Sequence, residues 1–226
     1  MFKNMRLLIC RNGESILNHQ NKITGWIDSP LNKKGIYESF QIAEKLQKNN
    51  LIPHTIYTSN LLRTIQTGEI IKNHLKYNFE SFSSWRLNEK NYGILEGLNI
   101  NKANDIYGID NINIIKNNFY AMPYFFENKP LFDSNILINN NEETNIGESS
   151  NMVTKRFLPL WNNNITPILY ENKTLLIISH NEFLCSFIRF LENIDVNQYK
   201  DININKNDII YYELNNNLEI IKKRIL

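Results

Sequence analysis

A chain of 226 residues with 25 Lys and Arg, 23 Asp and Glu and a formal net charge of +2 is long enough to bury one substantial core. Its basic residues are scattered, which leaves no electrostatic footprint for nucleic acid. No apolar run approaches the length of a membrane span, and two cysteines, Cys10 and Cys185, make no disulfide framework, so a soluble cytoplasmic protein without a membrane partner is expected.

Leu7-Leu8-Ile9-Cys10 runs into Arg11-Asn12-Gly13-Glu14-Ser15 and reads as a strand buried on both faces, ending where a parallel sheet places its ligands. Arg11 offers a planar fork for an oxyanion, and Gly13 lets backbone approach closely, although a lone arginine after a strand is also how a surface residue looks. Cys10 is expected to be an inert core thiol. Asn18 to Pro30 reads as a loop. Ile36, Phe40, Ala43 and Leu46 recur at helical spacing from Lys33 to Asn49 and predict a helix lying on the sheet. Thr55 to Thr58 predicts a short strand, with Ser59 as N-cap of a helix carrying Leu61, Ile65, Gly68, Ile71 and Leu75. Arg63 then falls in a first helical turn at the same sheet edge as Arg11, so that both guanidinium groups could reach one anion.

Phe79 to Phe82 reads as a further strand. Asn99 to Asn141 reads as short helices and irregular chain broken at Pro123 and Pro130, part of an insertion spanning about residues 99–147 over the crevice of a single domain, 1–226. Glu148-Ser149 precedes a helical pattern through Val153, Phe157, Leu160, Trp161, Ile165 and Ile168, which Pro159 and Pro167 should bend or end. Leu175 to Ile178 is a second doubly buried strand, closed by Ser179-His180-Asn181-Glu182 and followed by a helix. Ile209 to Leu214 and Leu218 to Lys222 suit a hairpin. The alternation predicts an α/β fold of three layers, a mostly parallel central sheet with helices on both faces.

The ordered motifs Arg-x-Gly-Glu-Ser from Arg11, Thr-Gly-Trp from Thr24, Thr-Ser-x-Leu-x-Arg ending at Arg63, Trp-Arg-Leu-Asn-Glu-x-x-Tyr-Gly from Trp85, Glu148-Ser149 and a strand ending in His180 resemble the 2,3-bisphosphoglycerate-dependent phosphoglycerate mutases of the histidine phosphatase superfamily. The likeness runs from Arg6 to Arg224. It implies a phosphoglycerate mutase-like fold and a family reaction that interconverts 3-phosphoglycerate and 2-phosphoglycerate in glycolysis through a phosphohistidine. It also implies 2,3-bisphosphoglycerate as priming donor with no tightly bound cofactor, a phosphorylated small molecule as ligand, and a homodimer or a heterodimer with a paralogue. By resemblance, Arg11, Arg63 and His180 clamp the phosphoryl group and Glu89 moves the proton. Ser15, Asn18, Thr24, Gly25, Lys90, Tyr92 and Lys116 line the substrate. The bland alternative for Glu89 is a structural ion pair with an arginine of the same pocket.

The departures from that pattern concern the chemistry itself. Asn12 stands where the family carries the phosphorylated histidine, and an amide nitrogen, delocalised into its carbonyl, is barely nucleophilic. Ile100 replaces a substrate lysine, Lys116-Asn117 a pair of arginines, and Asn181-Glu182 a Gly-Asn pair, with Lys102 an imperfect substitute two residues on. The sequence stops at Leu226 without the closing tail of the mutases, so an open site favouring hydrolysis is expected. Together these predict a degenerate site, weakly active or inactive, that keeps a phosphate-binding cleft. The alternative is an active mutase or phosphomonoesterase using Glu89 and His180. His19, His54 and His74 make no metal-ligand spacing, and no metal is expected.

Overall fold

A computed structural model describes residues 5–126, 129–132 and 146–226. Six strands form the main sheet: β1 (Met5–Arg11), β2 (Thr55–Thr58), β3 (Glu80–Ser83), β6 (Thr174–Ser179), β7 (Ile209–Leu214) and β8 (Ile220–Ile225), in the order β3-β2-β6-β1-β7-β8. The first four are parallel, β7 runs antiparallel to β1, and β7 and β8 make the expected hairpin. A separate antiparallel ribbon joins β4 (Ala121–Phe126) to β5 (Lys129–Phe132). The helices are α1 (Ile16–His19), α2 (Lys33–Lys48), α3 (Leu62–Leu75), α4 (Ile100–Tyr107), α5 (Ile109–Asn117), α6 (Ser150–Leu160), α7 (Thr166–Tyr170) and α8 (Asn181–Leu191).

The two doubly buried strands behave as their composition predicts. Leu7 to Cys10 and Leu175 to Ile178 are wholly excluded from solvent, with Leu7, Ile9, Leu175 and Ile177 packed in the core that includes Phe157 and Phe187. Leu8, Cys10, Leu176 and Ile178 face the other way, into the core with Ile42, Ala43 and Ile71. The result is three layers, with α6 and α8 contributing to one core and α2 and α3 to the other. Burial also pushes the Cys10 thiol up to about 12, which keeps it protonated and unreactive. Among the described residues, no helix is long and apolar enough to cross a membrane.

Several local expectations are corrected. Helix α2 forms, but Ile36 and Phe40 are each 41% exposed, and its inner face is Gly35, Glu38, Ser39, Ile42, Ala43 and Leu46. The reason lies at its N-terminal half, where Gly35 packs backbone to backbone on Gly13 and the Glu38 carboxylate accepts the Glu14 N–H at 2.8 Å. Small and polar residues are needed there to bring the helix close, so the apolar ones turn outward. Ser59 does not supply the N-cap of α3; the cap position is Leu61, without a side-chain bond, and the serine is engaged elsewhere. Pro123 and Pro130 do not break irregular chain but lie within β4 and β5, whose register shifts between Met122 and Phe125. Residues 127–128 and 133–145 of the expected insertion lie outside the described residues. Pro159 is accommodated inside α6, and a π-helical turn at Trp161–Ile165 links it to α7, where Pro167 occupies the first turn.

A Cβ on Gly35 would stand 2.2 Å from the Glu14 carbonyl oxygen, and one on Gly13 would stand 2.2 Å from that of Gly35. Helix propensity alone favours Gly35→Ala by about 1 kcal/mol. Forcing two backbones apart costs more, so the variant is expected to lose about 2 kcal/mol net in chemical denaturation. A gain in stability would show that the contact is not as tight as described.

Candidate functional site

A cavity of about 300 Å³ opens at the carboxyl ends of β1 and β6. Register explains why these two strands serve it together: Arg11 pairs with Ser179, and the Asn12 N–H donates to the Ser179 carbonyl at 2.9 Å. The residues that follow, Asn12 and His180, therefore emerge from the sheet as neighbours. Of the residues expected at the site, Arg11, Asn12, Asn18, Thr24, Gly25, Arg63, Glu89, Tyr92, Lys116 and His180 line the cavity.

Two expected lining residues sit elsewhere. Ser15 is fully buried and caps α1, its hydroxyl accepting the Asn18 N–H at 3.2 Å and donating to Asn18 Oδ1 at 2.9 Å. It orients Asn18, whose Nδ2 reaches Thr24 Oγ1 at 2.8 Å. Lys90 is also fully buried, and its ammonium donates to the Ile115 carbonyl at 2.7 Å, tying the loop after Glu89 to the end of α5. Glu89 thus faces the cavity while its neighbour Lys90 is turned into the protein. Burial lowers its pKa to about 8. Lys102 is exposed on α4 and is not among the residues lining this cavity, whereas Ile100 is, so the lysine does not replace the charge there.

The hydrogen bonds around His180 fix its proton. Arg63 Nε, which can only donate, is 3.1 Å from Nδ1, so Nδ1 is the acceptor and the proton sits on Nε2. Nε2–H then donates to Ser59 Oγ at 2.8 Å. Ser59 Oγ also accepts the Leu61 N–H at 3.1 Å, and its own hydroxyl is left to donate to Thr64 Oγ1 at 2.7 Å. The Thr64 hydroxyl ends the chain on the Leu61 carbonyl at 2.9 Å. Burial, followed by the fields of Arg63, Arg156 and Arg11, holds the His180 pKa well below the usual histidine range. The imidazole is therefore neutral, in one tautomer, with both nitrogens occupied.

Arg63 itself is 2% exposed. Its Nη1 donates to the Ile27 carbonyl at 3.1 Å and its Nη2 to that of Gly25 at 2.8 Å. Each Nη carries one further hydrogen. Arg11 is freer, bonded through Nη1 to the Ile204 carbonyl at 2.9 Å. Asn12 turns its Nδ2 to the Gly13 carbonyl at 2.7 Å.

Among the described residues, Glu89 makes no structural ion pair with an arginine. Its Oε1 instead accepts the backbone N–H groups of Lys90 at 3.0 Å and of Glu182 and Phe183 at 3.1 Å each, which makes it a cap on the N-terminus of α8. Burial, helped by the nearby Glu182 carboxylate, raises its pKa to about 7, against the opposing pull of these hydrogen bonds and of Arg63. A carboxyl group poised there can give or take a proton near neutrality.

Sequence reasoning missed Lys22, Asn21, Ile23 and Lys206 in the lining, Ser59 as the partner of His180, and the organising role of Arg156. Arg156 pairs with Glu148 at 2.7 Å and donates to the carbonyls of Arg86, Asn88 and Glu89 at 2.6, 2.8 and 2.9 Å. Glu148 thus supports the loop bearing Glu89 through this arginine. Among the described residues, the buried Asn181 Oδ1 has no hydrogen-bond partner. Among the described residues no group of His, Cys, Asp or Glu side chains is placed to hold a metal ion.

Because the folded-state pKa of Glu89 is raised above its ordinary value of 4.5, the native state binds the proton more tightly than the unfolded chain does. Its contribution to stability is complete below about pH 4.5 and is lost as the pH rises through about 7. Glu89→Gln keeps the acceptor oxygen and removes the titration. The stability of this variant relative to the parent should climb across that interval in denaturation series, and a pH-independent difference would contradict the assignment.

Residues 7–120 match the Histidine phosphatase superfamily (branch 1). The 2,3-bisphosphoglycerate-dependent phosphoglycerate mutase of Buchnera aphidicola subsp. Cinara cedri is 35% identical over 225 residues, spanning 97% of this chain and 98% of the relative. Among solved structures, Bacillus stearothermophilus YhfR superposes with a TM-score of 0.75 at 19% identity, over 95% of this chain and 93% of the other. A mycobacterial glucosyl-3-phosphoglycerate phosphatase complexed with VO3 gives 0.72 at 18% identity, over 98% and 97%.

Proposed function

The chain belongs to branch 1 of the histidine phosphatase superfamily and is phosphoglycerate mutase-like, and from that premise we propose that it binds a phosphorylated metabolite of the phosphoglycerate class without passing the phosphoryl group through a covalent histidine intermediate. Arg11 and the remaining Nη hydrogens of Arg63 bind the phosphoryl oxygens, in the fork geometry that suits them. The observation that carries this reading is the state of the nitrogens beside that anion site. Asn12 offers an amide, and both ring nitrogens of His180 are committed, one accepting from Arg63 and one donating to Ser59.

A neutral His180 serves the cleft by fixing Arg63, and its single proton, on Nε2, is given to Ser59. Glu89 is a cavity carboxyl whose pKa is raised to about 7, and it supports a second, weaker activity. Water activated by its carboxylate attacks phosphorus directly, and the ester oxygen leaves as the alcohol. The phosphorylated acid would then be hydrolysed, not isomerised.

The test incubates purified protein with 2,3-bisphosphoglycerate carrying labelled phosphate and then quenches in base. The parent protein should carry no acid-labile label, while Asn12→His should acquire it. Cofactor-dependent interconversion of 3- and 2-phosphoglycerate should lie on the order of 10⁶-fold below that of a mutase with an intact nucleophile. Label on His180 of the parent protein would overturn the reading. Slow release of inorganic phosphate that disappears in Glu89→Gln would establish the hydrolytic activity.

A further inference from the structure

Lys206 belongs to none of the motifs that mark the site. It lies in the loop leading into β7, and the antiparallel pairing of β7 with β1 brings that loop beside the turn following β1. There its Nζ reaches Glu14 Oε1 at 2.8 Å while the side chain lines the same cavity as Arg11.

The two partners of this ion pair are held very differently. Glu14 has a side chain only 9% exposed, and its carboxylate also accepts from Asn32 Nδ2 at 2.8 Å and faces His19 at 3.3 Å and Lys34 at 3.4 Å. Lys206 first, then Asn32 and Lys34, hold its pKa at about 2 against the opposing effect of burial. Lys206 is 36% exposed and has a long, flexible stem. When the pair opens, it is the lysine that moves, and Glu14 keeps its other partners. The ammonium end of the pair faces the cavity, so a ligand carboxylate can compete with Glu14 for it.

The cavity has room for more than a phosphate, and the cations already assigned to the phosphoryl group are Arg11 and Arg63. Ile100 presents no charge to the ligand. Resting on the reading of the cleft as a phosphate site, we propose that Lys206 is a specificity-determining residue that binds the carboxylate of a phosphorylated acid, exchanging the Glu14 carboxylate for that of the ligand. Glu14 thereby marks where a carboxylate sits against this ammonium. The site then prefers a phosphorylated acid to a phosphate ester of a neutral alcohol.

Isothermal titration of the full chain with inorganic phosphate, glycerol 3-phosphate and 3-phosphoglycerate tests this. The last two ligands differ in having a hydroxymethyl group or a carboxylate. The parent protein should prefer 3-phosphoglycerate about tenfold, the worth of one charge-assisted hydrogen bond. Lys206→Met should abolish the preference, and Glu14→Gln, which removes the competing carboxylate, should widen it. A Lys206→Met protein that keeps the parental preference, or a parent protein without one, overturns the role of Lys206 while leaving the phosphate cleft intact. A parent protein that binds none of the three ligands overturns the cleft reading and this inference together.

Discussion

The hydrogen bond from Arg63 Nε to His180 Nδ1 is the contact through which most of the site is connected. It forces the imidazole proton onto Nε2, which commits Ser59 to accept, Thr64 to receive the serine proton, and the Leu61 carbonyl to close the chain. The same guanidinium gathers the carbonyls of Gly25 and Ile27 and so anchors the loop between α1 and α2 against the start of α3. A buried cation beside an imidazole is tolerable only while the ring stays neutral, and burial with three arginine fields keeps it so. The positive potential of the cleft comes from guanidinium groups and ammonium groups, with no share from His180.

A second constraint works at the level of backbone. Gly13 and Gly35 meet with no room for a side chain, so α2 presses on the turn that carries Asn12 and Glu14. The Gly13 N–H reaches Thr67 Oγ1 of α3 at 3.1 Å, and the Glu14 N–H reaches Glu38 of α2 at 2.8 Å. Two helices thereby hold the anion-binding turn, and neither contact depends on the identity of residue 12. This is how a site can remain well ordered when the side chain at that position is an amide with a local bond to the Gly13 carbonyl. On the opposite wall, Glu89 joins the loop supported by Arg156 to the N-terminus of α8.

Much of this was legible in the residues. The two continuous apolar runs read as central parallel strands, and their carboxyl ends bring Arg11, Asn12 and His180 to one sheet edge. The motif order named Arg63, Glu89 and Tyr92 as well. What escaped were features set by long-range pairing. Lys206 meets Glu14 because β7 lies beside β1, and no local pattern in an Asn- and Lys-rich loop announces it. Lys90 was expected in the lining from the family resemblance, yet it is directed at the Ile115 carbonyl. The outward rotation of Ile36 and Phe40 was hidden for a related reason: periodicity finds the apolar stripe, but a helix that must touch backbone buries its glycine instead.

The central claim is that His180 is a neutral ring with both nitrogens engaged, leaving no lone pair beside the anion site to receive a phosphoryl group. Imidazole ¹⁵N resonances of His180, followed from pH 8 to pH 5 in the folded protein, test it most directly. The account predicts one pyrrole-like and one pyridine-like nitrogen, assigned to Nε2 and Nδ1 respectively, unchanged over that range. Averaged shifts, or conversion to imidazolium near the ordinary histidine pKa of about 6.5, would contradict it.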